Sequence, residues 1–299
     1  MNPKPAVEER VWSVLAHLFA LAMGMGLILP VLGWAEQRRK SKYVAFQSLQ
    51  ALGYQTLGYT VWVIAGLLAA VVSIFFLLLN MDDALRSEAA LTSWMIGHFS
   101  LTFALLGLYY ILPVIAALAC AFGKDFRYPF MGRRLAKYLD YDSEGGLNES
   151  HEDRWVAAAG HFSVIIAMWG LLVPAAAWIL QGKRSAWLKF QSAQAIVLHV
   201  CALLLGFIAL FLYMSGFVVF IALTGVGGTS ISSGTGLIAV LLMFGLMLIA
   251  LLILLFIPLF HIMGQWAGYR VLKGDDYRYP IIGKLIARWI PSGSHVQTT

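Results

Sequence analysis

The chain has 299 residues, of which 60% are hydrophobic and only 12% charged, with a net charge of +6. Soluble domains carry about 25% charged residues, whereas five runs here contain no Asp, Glu, Lys or Arg: 11–35, 43–81, 89–123, 155–182 and 190–269. A bilayer span needs roughly 20 apolar residues, so the composition predicts a polytopic helical membrane protein and excludes a soluble enzyme or a nucleic-acid-binding domain.

The residues up to Arg10 lack the basic region of a cleavable signal, so the first apolar segment is expected to stay in the mature chain. That segment holds Gly24, Gly26 and Pro30, which predict a break near its middle. A basic loop with Arg38, Arg39 and Lys40 follows. Next comes a long helix from Phe46, whose 34 residues to Leu79 would measure about 51 Å, against a hydrocarbon core of about 30 Å. Its first turns carry Gln47, Ser48, Gln50 and Gln55, which must lie at the interface or against protein. A loop at 80–93 leads to a second long helix and then to Arg127-Tyr128-Pro129. The stretch FMGRRLAKYL after it has the spacing of an amphipathic helix for an anionic surface. Cys120 and Cys201 read as buried thiols.

The same plan is then written a second time. At an offset of 144, Arg10 matches Arg154, His17 matches His161, Pro30 matches Pro174 and Trp34 matches Trp178. The segment FQSLQA from Phe46 matches FQSAQA from Phe190, and Lys183 and Arg184 fall in the second basic loop. The offset then becomes 151, so that Arg127-Tyr128-Pro129 matches Arg278-Tyr279-Pro280. An insertion in the Gly/Ser/Thr-rich loop at 224–236, read as flexible, accounts for the change. The predicted organisation is repeat 1 at 1–138, an acidic linker at 139–153, repeat 2 at 154–290 and a disordered tail at 291–299.

Two threadings compete. If each repeat has three spans, Lys and Arg divide 11 to 10 between the two faces. If the first apolar segment instead dips in and returns, the split is 20 to 1, with Arg86 alone on the far side. The positive-inside rule favours the second threading and places both termini and the basic loops in the cytoplasm. The expected fold is therefore all-α, a membrane bundle of two tandem repeats. Each repeat has a short hairpin, two long transmembrane helices and a basic amphipathic helix.

The Ala-His-Leu start, the Pro-containing segment ending in Trp, the Phe-x-x-x-Gln-Ala motif and the closing Arg-Tyr-Pro together resemble a family of small bacterial membrane proteins of unknown function. That family is itself similar to the Tic-twenty component of the chloroplast import translocon. The resemblance covers nearly the whole chain, once per repeat, and implies a span pair before the basic loop. One departure stands out. The family often has His after the Phe, where this chain has Gln47 and Gln191, which removes any role needing an imidazole there.

Several residues are candidates for chemistry. His17 and His161 recur at matched positions and are the weak candidates for cofactor ligands, beside a packing role; no catalytic residue, metal site or cofactor is predicted. His98, His199 and His261 also lie in apolar runs. Gln47 and Gln50, like Gln191 and Gln194, sit at i and i+3 on one helix face and can bridge helices. The apolar runs hold no carboxylate, and no Walker A, HExxH or GxSxG motif occurs. The predicted function is a membrane-embedded scaffold, assembly or translocation-associated factor, with a transporter or channel for a small solute as the rival class. Expected partners are anionic lipids at the basic face, and a membrane protein or a second copy of the chain. Bound lipid is expected and nucleic acid is not.

Overall fold

The computed structural model describes residues 4–82, 87–225 and 233–291. The tip of the first far loop, most of the flexible-loop expectation at 224–236, and the expected disordered tail beyond Pro291 lie outside the described residues. Those described are almost all helical, with no strand among them. Repeat 1 comprises α1 (Val7–Leu18), α2 (Ile28–Gln37), α3 (Lys42–Leu79), α4 (Glu88–Ala121) and α5 (Met131–Tyr138). Repeat 2 comprises α6 (Glu149–Phe162), α7 (Leu172–Gln181), α8 (Ala186–Thr224), α9 (Gly234–Leu272) and α10 (Ile282–Ala287).

The first apolar segment of each repeat is a hairpin. By length and composition alone Val7–Gln37 could cross a membrane. Its backbone reverses at Met23, with φ 52° and ψ −138°. Ala167, the matching residue, has φ 48° and ψ −135°, and a few residues on Glu149–Gly170 and Leu172–Gln181 meet at a bend of 115°. With 12 and 10 residues, α1 and α2 reach only about 18 and 15 Å, too short for the hydrocarbon core. The turn depends on glycine. A Cβ on Gly26 would stand 1.9 Å from the Phe19 carbonyl oxygen, and one on Gly170 would stand 1.9 Å from that of Ser163. The break thus falls at Met23 and Ala167, ahead of the prolines. Pro30 and Pro174 sit third in α2 and α7, in the first turn where a missing N–H breaks no helical bond.

Contacts between distant loops agree with the hairpin threading. Arg10 donates to the Ala121 carbonyl at 3.2 Å, Gln181 to that of Ala35 at 3.3 Å, and Tyr138 to that of Leu272 at 3.5 Å. Three spans per repeat would put the members of each pair on opposite faces. Instead the members of each pair meet, at one end of the molecule.

The long helices start in that end. Ser41 and Ser185 cap α3 and α8, their hydroxyls accepting from the amides of Val44 and Leu188. Every residue of α3 from Val44 to Gly53 is buried, whereas Tyr59–Leu79 contains no buried residue. The first turns therefore lie against protein and the remainder faces lipid. One apolar core joins the repeats, with Trp34, Phe46 and Leu49 packed among Trp155, Val156 and Trp187. Beyond it, α3 runs with α4 and α8 with α9, each pair projecting from the core.

The strained turn gives opposite expectations for two neighbouring substitutions. Ala167→Gly should raise stability by about 1 kcal/mol by relieving the positive φ. Gly170→Ala should lower it by about 3 kcal/mol through collision with the Ser163 carbonyl. Thermal unfolding in detergent reads both, and equal shifts would contradict the turn geometry.

Candidate functional site

The residues that recur between repeats meet in two copies of one buried network. In repeat 1, α1 supplies His17, the first turns of α3 supply Gln47 and Gln50, and the segment before α5 supplies Asp125, Phe126 and Tyr128. The spacing explains the meeting. Three residues apart, Gln47 and Gln50 share the face of α3 that looks toward α1 and the Arg-Tyr-Pro segment.

The hydrogen bonds form a closed set. The Gln47 amide nitrogen donates to Asp125 Oδ1 and to the Phe126 carbonyl, both at 3.0 Å. Its Oε1 is left to accept, and does so from Gln50 Nε2 at 3.2 Å and from His17 Nε2 at 3.0 Å. His17 therefore carries its proton on Nε2, and Nδ1 accepts from the Tyr128 hydroxyl at 3.0 Å. Gln50 also donates to the Phe126 carbonyl at 2.9 Å and accepts from the Tyr128 amide at 3.1 Å. His17, Gln47, Gln50 and Tyr128 are all buried, where every polar group left unpaired is costly.

Repeat 2 rebuilds the set atom for atom. Gln191 Nε2 donates to Asp276 Oδ1 at 3.3 Å and to the Tyr277 carbonyl at 3.1 Å. Its Oε1 accepts from Gln194 at 3.2 Å and from His161 Nε2 at 3.2 Å. The Tyr279 hydroxyl donates to His161 Nδ1 at 3.1 Å, and Gln194 Oε1 accepts from the Tyr279 amide at 3.0 Å. Glycine makes room for the acceptor in both copies. A Cβ on Gly132 would lie 2.7 Å from Gln50 Oε1, and one on Gly283 would lie 2.9 Å from Gln194 Oε1.

Over both segments runs one family model, described as the magnetosome magnetite crystal formation protein family, matching residues 8–135 and again 152–286. The chain belongs to this family. The two matched segments are the two structural repeats. Searches of curated proteins and of solved structures return no match. The family is one of bacterial membrane proteins and is not an enzyme family.

Within this family member, both ring nitrogens of His17 and of His161 are engaged with Gln and Tyr. The other membrane histidines do not join them. His98 Nδ1 meets the Ser73 hydroxyl at 3.0 Å, and His199 Nδ1 donates to the Ala195 carbonyl at 2.7 Å. No group of three His, Cys, Asp or Glu side chains converges among the described residues. Cys120 and Cys201 are free thiols.

The Arg-Tyr-Pro arginines brace the networks from outside. Arg127 pairs with Asp125 at 3.2 Å and Asp142 at 2.5 Å, and lies 5.9 Å from the Phe46 ring centroid. Its guanidinium holds the Asp142 carboxyl below the usual carboxylate range. Arg278 pairs with Asp276 at 2.8 Å and lies 5.3 Å from the Phe190 ring. Pro129 and Pro280 are exposed, so the tyrosine and not the proline is the buried member of the motif. Asp125 and Asp276 were legible as a matched pair at offset 151, yet they draw notice only once their carboxylates meet the glutamines.

The basic loops differ between the repeats. Arg38 is buried and joins one repeat to the other. Its Nε meets Glu152 Oε2 at 2.9 Å and its Nη1 meets Asp153 Oδ1 at 2.9 Å. Trp34 Nε1 donates to the same Glu152 oxygen at 2.7 Å, with Arg38 stacked 4.6 Å above the indole. Glu152 and Asp153 belong to α6, so the acidic stretch at 139–153 ends inside a helix of repeat 2. The rest of that stretch is docked on repeat 1, with Tyr141 stacked on Phe46 at 3.9 Å and Lys42 donating to the Ser143 carbonyl at 2.7 Å. Arg39, Lys40, Lys183 and Arg184 are exposed.

Two stability measurements probe these assignments. Tyr128→Phe and Tyr279→Phe each remove one donor and should lower stability by about 1 kcal/mol. His17→Leu orphans two partners and should cost about 2 kcal/mol. Unfolding in mixed micelles reads the differences; a silent Tyr128→Phe would mean that the hydroxyl is not held by His17. In the second test Arg38→Ala should cost about 3 kcal/mol by stranding two buried carboxylates. Arg39→Ala, exposed and 3.7 Å from Glu149, should change stability by under about 0.5 kcal/mol. Similar losses for the two arginines would contradict the buried pair.

Proposed function

We propose that the protein is a non-catalytic scaffold or assembly factor embedded in the bilayer, serving the membrane in which magnetite crystals form. The family match over both repeats carries this reading. A second feature agrees with it. The polar side chains that recur in the two repeats bond to one another and brace helices, which is the economy of a structural element rather than of a substrate site. The long helix pairs present apolar surface along most of their length, suited to neighbours within the bilayer: lipid, another membrane protein or a second copy. The end that gathers the basic loops is the cytoplasmic one in this proposal, as the positive-inside rule requires. The likeness to the chloroplast translocon component extends the same idea, with the bundle helping other chains into or through the membrane.

The rival is a solute transporter, for which the two-fold repeat is the supporting feature. The two readings separate on purification in mild detergent followed by mass spectrometry and proteoliposome flux. A scaffold should leave the membrane in a stable complex with a partner or with itself and should give no solute flux. A chain that elutes alone and carries solute would overturn the proposal.

A further inference from the structure

The two hairpins give the molecule different widths at its two ends. The short helices α1, α2, α6 and α7 have 12, 10, 14 and 10 residues, so they reach about 15–21 Å and then turn. Hydrogen bonds mark where they stop. Gln55 of α3 donates to the Ala16 carbonyl near the end of α1 at 3.2 Å, and Gln265 of α9 donates to the Phe162 carbonyl at the end of α6 at 2.9 Å. Down to that level the short helices pack beside the long ones. Beyond it burial almost ceases. In α3 no residue is buried from Tyr59 onward, and in α4 none is before Pro113. What remains is Ala209, Gly216, Gly236, Ala239 and Ala250 of the α8–α9 pair. Four long helices thus continue from a level where four short ones lie among them.

The wide level lies at one side of the bilayer. Helix α3 has 38 residues, about 57 Å, against about 40–45 Å for a bilayer with its headgroups. Its unburied part, Tyr59–Leu79, has 21 residues, about 31 Å, which matches a hydrocarbon core of about 30 Å. The hairpins therefore sit at the headgroup layer of one leaflet, with their apices directed at the acyl chains. Their side chains agree. At the apices Leu21, Met23, Met25, Met168 and Trp169 are 40–54% exposed. At the opposite ends Glu8, Arg39, Lys40, Lys183 and Arg184 are exposed. An apolar tip on a charged base is the polarity of a body that dips into an interface.

Such a body takes up area in one leaflet only. A helix with its side chains is about 10–12 Å across, so four hairpin helices add roughly 300–450 Å² to one face of the membrane with no counterpart on the other. Lipid packs around that shape with least strain where the hairpin leaflet is convex, the reason interfacial helices respond to curvature. The shape is also stiff. His17 is tied to Gln47 of α3 at 3.0 Å and His161 to Gln191 of α8 at 3.2 Å, so neither hairpin can swing clear of the long helices without breaking a buried network.

We propose that the paired hairpins make the protein a curvature-selective wedge, which favours membrane that is convex on the hairpin side. This goes beyond the scaffold reading and stands without it. With the basic end cytoplasmic, as read above, the favoured membrane bulges toward the cytoplasm.

Thin tubes pulled outward from giant vesicles containing the full chain test the wedge. Phosphatidylcholine is the lipid, so that charge does not sort the protein. Cys120 is buried and Cys201 lies inside α8, so an impermeant maleimide dye added outside marks an introduced cysteine. On K183C it marks molecules with the hairpin end outward, and on D82C those with the far end outward. Dye on K183C should be enriched in the tube at least about twofold over the vesicle body, and dye on D82C should be depleted, since the same wedge then meets the concave leaflet. Either arm decides alone, so a chain that inserts one way only still answers. Equal density in tube and vesicle, enrichment in both orientations, or the reverse order would each overturn the wedge. A failure here leaves the complex and flux measurements untouched.

Discussion

Irregular backbone cannot face lipid. Peptide groups at membrane depth that lack helical partners must be covered by protein, and both repeats place such a turn at the apex of a hairpin too short to cross. The two apices cover each other. A Cβ on Gly24 would stand 2.5 Å from Trp169 Cβ and 2.8 Å from Ile166 Cγ2, so the first turn presses against the second with no side chain between them. A single repeat would leave this backbone open, which gives a physical reason for the duplication to be retained in one chain. The returning helices α2 and α7 then pack on each other, and the apolar core grows outward from that contact.

The polar networks follow from the same constraint. Once α1 and α6 are held short of crossing, their C-terminal ends lie within the protein and not in water, and His17 and His161 must be satisfied there. The early turns of α3 and α8 pass beside them and offer glutamine, which both donates and accepts. The Arg-Tyr-Pro segments close each set with a tyrosine hydroxyl. Each network thereby ties three separate stretches of its repeat, first hairpin helix, long helix and closing segment, into one rigid end from which the long helices project. The Gln47 and Gln191 departure from the histidine of the resembled family is intelligible in these terms. A glutamine can donate twice, to a carboxylate and a carbonyl, while its oxygen accepts from both an imidazole and a neighbouring amide.

Much of this was legible in the sequence because a repeat is its own control. His17, Gln47, Gln50 and Tyr128 stood out only through their twins, and their spacing already put the two glutamines on one face. The hairpin was legible from the distribution of Lys and Arg, and the structure adds where it turns. Met23 and Ala167 gave no signal, since neither residue type favours positive φ; tertiary packing imposes it. Glu152 and Asp153 read as linker in the sequence because local composition is acidic there, and nothing local reveals that Arg38 lies across from them. Likewise the basic loops looked equivalent when counted as Lys and Arg alone. Pairing, which is a property of three-dimensional neighbours, separates them.

That separation has a consequence for how a symmetric fold can sit in a membrane. Two identical repeats would present two identical basic faces. Here the acids that begin α6 serve two purposes at once: they cap the basic loop of repeat 1 and so fuse the halves, and they withdraw charge from one side of the cytoplasm-facing end proposed above. The same residues that make the tandem chain a single body also make its surface unequal. In repeat 2 the position that matches Arg38 is Gly182, so its loop lacks the arginine that the buried carboxylates hold in repeat 1, and Lys183 and Arg184 beside it stay exposed.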